Sequence, residues 1–143
     1  MGSDPTRLTR LRRIERIRAV AKEMKLADAA QAESTLHQLR SLADRTREMA
    51  AGYSAHTTST DALQLVGMLS FAQSLHRMSD KVSADAASAQ HVADRLGRDV
   101  HAAERSRATA QERADQYQAE LNRAAATKYA DAPGRKGFGT KFE

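Results

Sequence analysis

The stretch that decides the fold is Leu63–Ala124, LQLVGMLSFAQSLHRMSDKVSADAASAQHVADRLGRDVHAAERSRATAQERADQYQAELNRA. Within it Leu75, Met78, Val82, Asp85, Ala89, Val92 and Leu96 step by three and four, the spacing that holds one side of an α-helix against a partner helix. One further step of four leads to Val100, Ala103, Arg107, Ala110, Ala114, Tyr117, Leu121 and Ala124, which resume the rhythm on a rotated face. No proline lies between Thr6 and Ala132, so nothing in that interval forces a break. Gly97 weakens the pattern by about 1 kcal/mol against alanine, too little to end so long a run. The stretch predicts one long helix.

On its N-terminal side, residues 54–60 (Ser-Ala-His-Thr-Thr-Ser-Thr) combine poor helix formers with capping types and read as a connector. Asp61 followed by Gln64 resembles a capping box that starts the second helix. At the start of the chain Asp4 suits an N-cap and Pro5 the first helical position. Leu8, Leu11, Ile14 and Ile17 then step by three among Arg7, Arg10, Arg12, Arg13, Arg16 and Arg18. The seam continues more weakly through Met24, Asp28, Gln31, Thr35, then Leu39 or Gln38, Leu42, Thr46, Met49 and Tyr53. Polar residues at such positions lower stability and fix register.

A short connector favours antiparallel neighbours. The fold class expected is therefore all-α, a long antiparallel two-helix coiled-coil hairpin with unequal arms. It spans residues 1–132, with helix one about 5–52, a connector about 53–61 and helix two about 62–130. At the helical rise the arms are roughly 70 and 100 Å long. Folding back at residue 57 sets residue i beside about 114 − i, which leaves helix two unpaired after about residue 110. A separate short helix over 62–70 would shorten that overhang by a few turns. Ala130-Asp131-Ala132-Pro133-Gly134 closes helix two, and residues 133–143 read as a flexible basic tail.

The composition agrees. The chain has 143 residues, enough for one domain, with 4% aromatics and no Trp, so a globular core of ordinary thickness is not expected. With no Cys there are no disulfides, thiolate metal sites or thiol catalysis. There is no run of 18 apolar residues and no apolar core of a signal peptide, so a cytoplasmic location is expected. The net charge of +5 is uneven. Residues 1–25 carry eight Arg or Lys against Asp4, Glu15 and Glu23, whereas residues 26–132 carry twelve basic and fourteen acidic residues. The basic start thus seeks an acidic partner, by docking on a protein surface, nucleic acid or anionic lipid, or is simply the solvated face of a coiled-coil strand.

A second feature is the density of large apolar residues between Leu63 and Val82 (Leu63, Leu65, Val66, Met68, Leu69, Phe71, Leu75, Met78). One partner helix cannot cover an element apolar nearly all round. Such a stretch either folds onto helix one as a small cap or stays open as a partner-binding patch.

Catalytic motifs are missing. Gly134 to Gly139 has the span of a phosphate-binding loop, but Thr140-Lys141 follows instead of Lys then Ser or Thr, with no preceding strand. His37, His56, His76, His91 and His101 form no i, i+4 pair, and the carboxylates are scattered. No cofactor, metal or small-molecule substrate is expected, and the chain reads as non-enzymatic.

Gln38-Leu39-x-x-Leu42-x-Asp44-x-x-x-Glu48, followed after the connector by Phe71-x-x-x-Leu75-x-x-Met78-x-x-x-Val82, resembles the FliJ family. These are the stalk proteins of flagellar type III export, related to the YscO-type proteins of injectisomes. The residue match covers about 45 positions. The resemblance implies a rotary-shaft-like helical hairpin that works at the cytoplasmic face of the inner membrane through its partners. Those partners are the export ATPase hexamer, the cytoplasmic part of the export-gate membrane protein, and export chaperones. It implies gate binding by Gln38, Leu42, Phe71 and Leu75, with Met78 and Val82 beside them. Arg10, Arg13, Arg16, Tyr117 and Leu121 lie at the end holding the termini, where the family is gripped by the ATPase ring. Arg45 and Met49 stand where an aromatic pair can occur in the family, and the Gly/Phe tail is not part of its pattern. Two other readings are a helical scaffold or granule coat, which needs a broad continuous apolar face, and a basic nucleic-acid-binding coiled coil, which needs cations along a whole face.

Overall fold

A computed structural model describes residues 4–55 and 61–134. It is all-helical: α1 spans Pro5–Ala55 and α2 spans Ala62–Ala130, 51 and 69 residues, an antiparallel hairpin with unequal arms. Two compact units divide it. One comprises the described residues of Met1–Ala19 and Arg105–Glu143, the other Val20–Glu104. The expected Gly/Phe tail and most of the connector lie outside the described residues.

The helix ends follow from capping. The Asp4 carboxylate accepts the Thr6 N–H at 2.9 Å, and its carbonyl accepts the Arg7 N–H at 3.0 Å. Asp61 does the same for α2, its carboxylate accepting the Leu63 N–H at 3.2 Å. α2 closes with the Asp131 N–H on the Thr127 carbonyl at 3.0 Å, two residues before Pro133. α1 continues through Gly52 to Ala55, three residues past its expected end. A tertiary contact outweighs the weak local propensity there: the Tyr53 ring meets Phe71 edge-on, centroids 4.8 Å apart. Residues 62–70 belong to α2 without a break and form no separate helix.

In the unit Val20–Glu104 the seam differs from the one the large residues suggest. On α2 an unbroken row of covered positions runs through Leu65, Met68, Ala72, Leu75, Ser79, Val82, Ala86, Ala89, Ala93, Leu96, Val100 and Ala103. These alternate steps of three and four with no interruption, so the expected shift after Leu96 does not exist. Ser79, Ala86 and Ala93 take the places expected for Met78, Asp85 and Val92. On α1 the seam runs through Lys22, Ala29, Ala32, Leu36, Leu39, Ala43, Thr46 and Ala50 rather than through Met24, Leu42 and Met49. Small side chains at the seam let two helices approach closely, which leaves the bulkier neighbours half outside. The buried Thr46 hydroxyl donates to the Leu42 carbonyl at 2.7 Å.

In the other unit Leu8, Leu11, Glu15 and Arg18 line α1, against Arg107, Ala110, Ala114, Tyr117 and Leu121 of α2. The α2 positions keep the expected rhythm, but they pack on α1 where the stretch after residue 110 was expected to be unpaired; the α1 positions differ from expectation. Ile17 is 62% exposed and Ile14 also points outward. A run of steps of three drifts about 60° per step around a helix, so Ile17 lies half a turn from Leu8.

The register is also shifted. Tyr53 meets Phe71, and Arg18 meets Ser106, and each pair of numbers adds to 124. Residue i therefore sits beside about 124 − i in each unit, not 114 − i. Pro5 faces about residue 119, and the unpaired part of α2 begins near there rather than near 110. Side-chain packing, not the midpoint of the connector, sets the register.

Candidate functional surfaces

Among the described residues the hairpin offers open surfaces and shallow grooves. In the unit holding the start of α1, Arg10, Arg13 and Arg16 are exposed, as are Arg7, Arg105, Arg113 and Arg123. Arg12 turns inward instead, bridging Glu15 at 3.0 Å and Asp115 at 2.8 Å. The hydrogen bond to Glu15, and next the one to Asp115, push Arg12 to still higher basicity, so it stays charged. Arg18 donates to the Ser106 carbonyl at 3.2 Å and to its hydroxyl.

Tyr117, expected as a ring contact, is a clamp. Its hydroxyl accepts the Asp4 N–H at 2.9 Å and donates to the Asp4 carbonyl at 3.2 Å. The Arg7 guanidinium lies over its ring, 4.8 Å from the centroid. The buried Tyr117 side chain thereby fixes the first turn of α1. Leu121 is half-buried one turn later. Thus three of the five residues assigned to this end, the arginines, are open to a partner.

The residues assigned to the gate surface divide similarly. Leu75 and Val82 are 6% and 8% exposed and belong to the seam, which removes them as contact residues. Phe71 and Met78 are 46% and 54% exposed, and Leu42 and Gln38 are exposed on α1. The register separates them lengthwise. Leu42 lies opposite about residue 82, eleven residues from Phe71, or roughly 16 Å at the helical rise. Gln38, Leu42, Phe71 and Leu75 therefore do not form the single patch that 114 − i pairing implied.

A different grouping emerges. Arg40 and Gln90, each directly after a seam residue, are hydrogen-bonded to one another. Residues that follow Leu39 and Ala89 thus share one edge of the hairpin. The opposite edge gathers those that precede Ala43, Ala50, Ala72, Ser79 and Ala93, namely Leu42, Met49, Phe71, Met78 and Val92. Every one is exposed. Toward the connector the edge ends in a groove of about 400 Å³ lined by Met49, Gly52, Tyr53 and Met68. Met49, Tyr53 and Val92 were not among the expected contact residues, because their apolar character at seam-like spacing had assigned all three to the seam. The departure of Met49 and Val92 from the true seam by one residue is the mark that identifies them, whereas Tyr53 continues the seam beyond Ala50.

Among the described residues no group of three or more His, Asp or Glu is placed to hold a metal ion, and no helix is long and apolar enough to cross a membrane. The fold and these surfaces define a class: a two-helix hairpin with exposed basic and apolar side chains along its sides. No family model, curated protein or solved structure matches the chain.

Proposed function

We propose that the chain is a non-enzymatic stalk of the FliJ type in a type III export system, working in the cytoplasm at the inner membrane. The observation that carries this reading is the division of labour between its units. One presents Arg10, Arg13 and Arg16 at the end holding the start of α1; the other presents a separate apolar edge on both helices. A coupling protein needs two such surfaces of unlike chemistry, whereas an enzyme needs a concave site. In this reading the arginines engage the export ATPase hexamer through solvent-exposed, salt-sensitive contacts. Leu42, Phe71 and Met78 engage the cytoplasmic part of the export-gate membrane protein, and export chaperones use the same hairpin. No nucleic acid or small molecule takes part.

The test is to reverse Arg10, Arg13 and Arg16 to Glu in the full chain. Binding to the purified export ATPase and stimulation of its turnover should fall at least about tenfold, more so at low salt, with helicity unchanged. Unaltered stimulation would make the basic face a solvated one and remove the reading.

A further inference from the structure

We infer that the apolar edge of the Val20–Glu104 unit is the seat for one amphipathic α-helix of a partner whose flanks are acidic, so that the hairpin becomes a three-helix bundle there. The inference rests on the stalk reading only in taking this face as a partner side; the chemistry of the occupant comes from the edge itself.

The spacing is the first argument. Leu42 and Met49 are seven residues apart on α1, as are Phe71 and Met78 on α2, with Val92 fourteen beyond Met78. A seven-residue repeat runs parallel to the seam and stays on one side of a supercoiled pair. Only an element that follows the same supercoil can cover it along its length, and that element is a helix. The groove between Met49, Gly52, Tyr53 and Met68 closes one end and suits a single large aliphatic or aromatic anchor.

The rim is the second. One turn beyond Leu42, Met78 and Val92 on the same edge stand Arg45, Lys81 and Arg95, all exposed, against Asp85 alone within the stripe. Such a rim favours glutamate or aspartate beside the partner's apolar stripe, as at the flanks of coiled coils.

Charge separates a lone helix from a second copy of this chain as the occupant. Leu42, Met49, Tyr53, Phe71, Met78 and Val92 are 40% to 54% exposed, which together leaves on the order of 500 Å² of apolar surface. That is below the roughly 800 Å² per partner of a stable interface, whichever helix supplies the contact. A second copy would set a net-positive face against itself, whereas a single helix with acidic flanks, laid between α1 and α2, reaches both stripes at once and complements their charge.

A synthetic peptide of about four heptads, leucine at the seam positions and glutamate on the flanks, provides the probe, with a twin carrying lysine on the flanks. Titrated into the full chain, the glutamate peptide should bind one to one and gain helicity, and the lysine peptide should bind at least about tenfold more weakly. Met78→Glu and Leu42→Glu, both surface changes that leave the chain's own helicity intact, should each weaken the glutamate peptide about tenfold. Ala87→Glu, on the other edge of α2, should not. Equal affinity for both peptides, no binding, or equal loss in Ala87→Glu would overturn the inference. So would a dimer of the free chain that Met78→Glu dissociates, which would make a second copy the occupant. No export component enters this assay, so its failure leaves the ATPase test standing, and the reverse.

Discussion

The two units solve the same packing problem with different chemistry. From Leu36 to Ala50 and from Ala72 to Ala93 the seam is Leu, Val, Ala, Thr and Ser, drawn together by burial. From Glu15 to Arg18, facing Arg107, it is charged, and Arg12, Glu15, Asp115, Arg18 and Ser106 join by hydrogen bonds. An aliphatic seam holds helices with energy that salt does not touch. A charged one fixes register and orientation while adding little net stability, because exposed pairs give back most of their Coulomb gain to water. Both units are held by apolar packing, the second through Leu8, Leu11, Ala110, Ala114 and Tyr117, and the charged layer there adds alignment.

The largest effect expected from this contrast is at Leu75. Truncating it to Ala should destabilise by about 2–4 kcal/mol through lost transfer energy and a residual cavity, seen as an early thermal transition by circular dichroism. Phe71→Ala or Met78→Ala, one residue off neighbouring seam positions, should move the transition by no more than about 1 kcal/mol. If Leu75→Ala and Phe71→Ala melt alike, the division between seam and edge fails.

A smaller effect, of opposite sign, is expected in the charged seam. Replacing Glu15 and Arg18 together by Leu should leave stability unchanged or raise it by about 1 kcal/mol, because apolar packing often equals or exceeds a partly buried polar network. The same double change should flatten the dependence of melting on salt. A loss of several kcal/mol would show the polar ladder to be a principal support rather than an aligning device.

Much of this was readable from the chain. The absence of proline across Thr6 to Ala132, the Asp4-Pro5 and Asp61 caps and the seam from Val100 to Ala124 fixed two long helices and their ends within three residues. What was not legible was which face of the Leu75–Leu96 stretch turns inward. Two heptad phases coexist there, one marked by Met78 and Val92, the other by Ser79, Ala86 and Ala93. Size favours the first, and close approach of two helices favours the second; a rule that weights only large residues chooses wrongly. That error moved Val92 into an imagined core, and the same preference for size on α1 moved Met49 there in place of Ala50. The ten-residue register error, with residue 57 assumed as the midpoint, joined Leu42 to Phe71. The arginines escaped both errors, since Arg10, Arg13 and Arg16 are outward under either phase.

The smallest effect concerns the cap of α1 and bears on the aligning unit alone. Asp4 has its pKa lowered from an ordinary value of 3.8, first by the Thr6 hydroxyl, then by the Thr6 amide, with the positive charge of Arg10 adding to both. Partial desolvation opposes them. A carboxylate depressed in the folded state contributes stability that is fully present above its unfolded value and is lost as pH falls through the folded one. The cap should therefore persist through neutral and mildly acidic conditions and release below 3.8. Because the group is fully exposed, the release should fray the first turn rather than unfold the hairpin. The Thr6 amide resonance reports this directly, since its N–H donates to the Asp4 carboxylate. Followed by NMR, it should titrate with a midpoint under 3.8 while core amides such as those of Ala43 and Ala86 stay unchanged. In Asp4→Asn the titration should vanish, and the backbone contact of Tyr117 with residue 4 should remain, since it uses the peptide N–H and carbonyl and not the side chain. A Tyr117 hydroxyl environment that changes together with the Thr6 amide would instead mean that the carboxylate, not the tyrosine, holds the start of α1 in place.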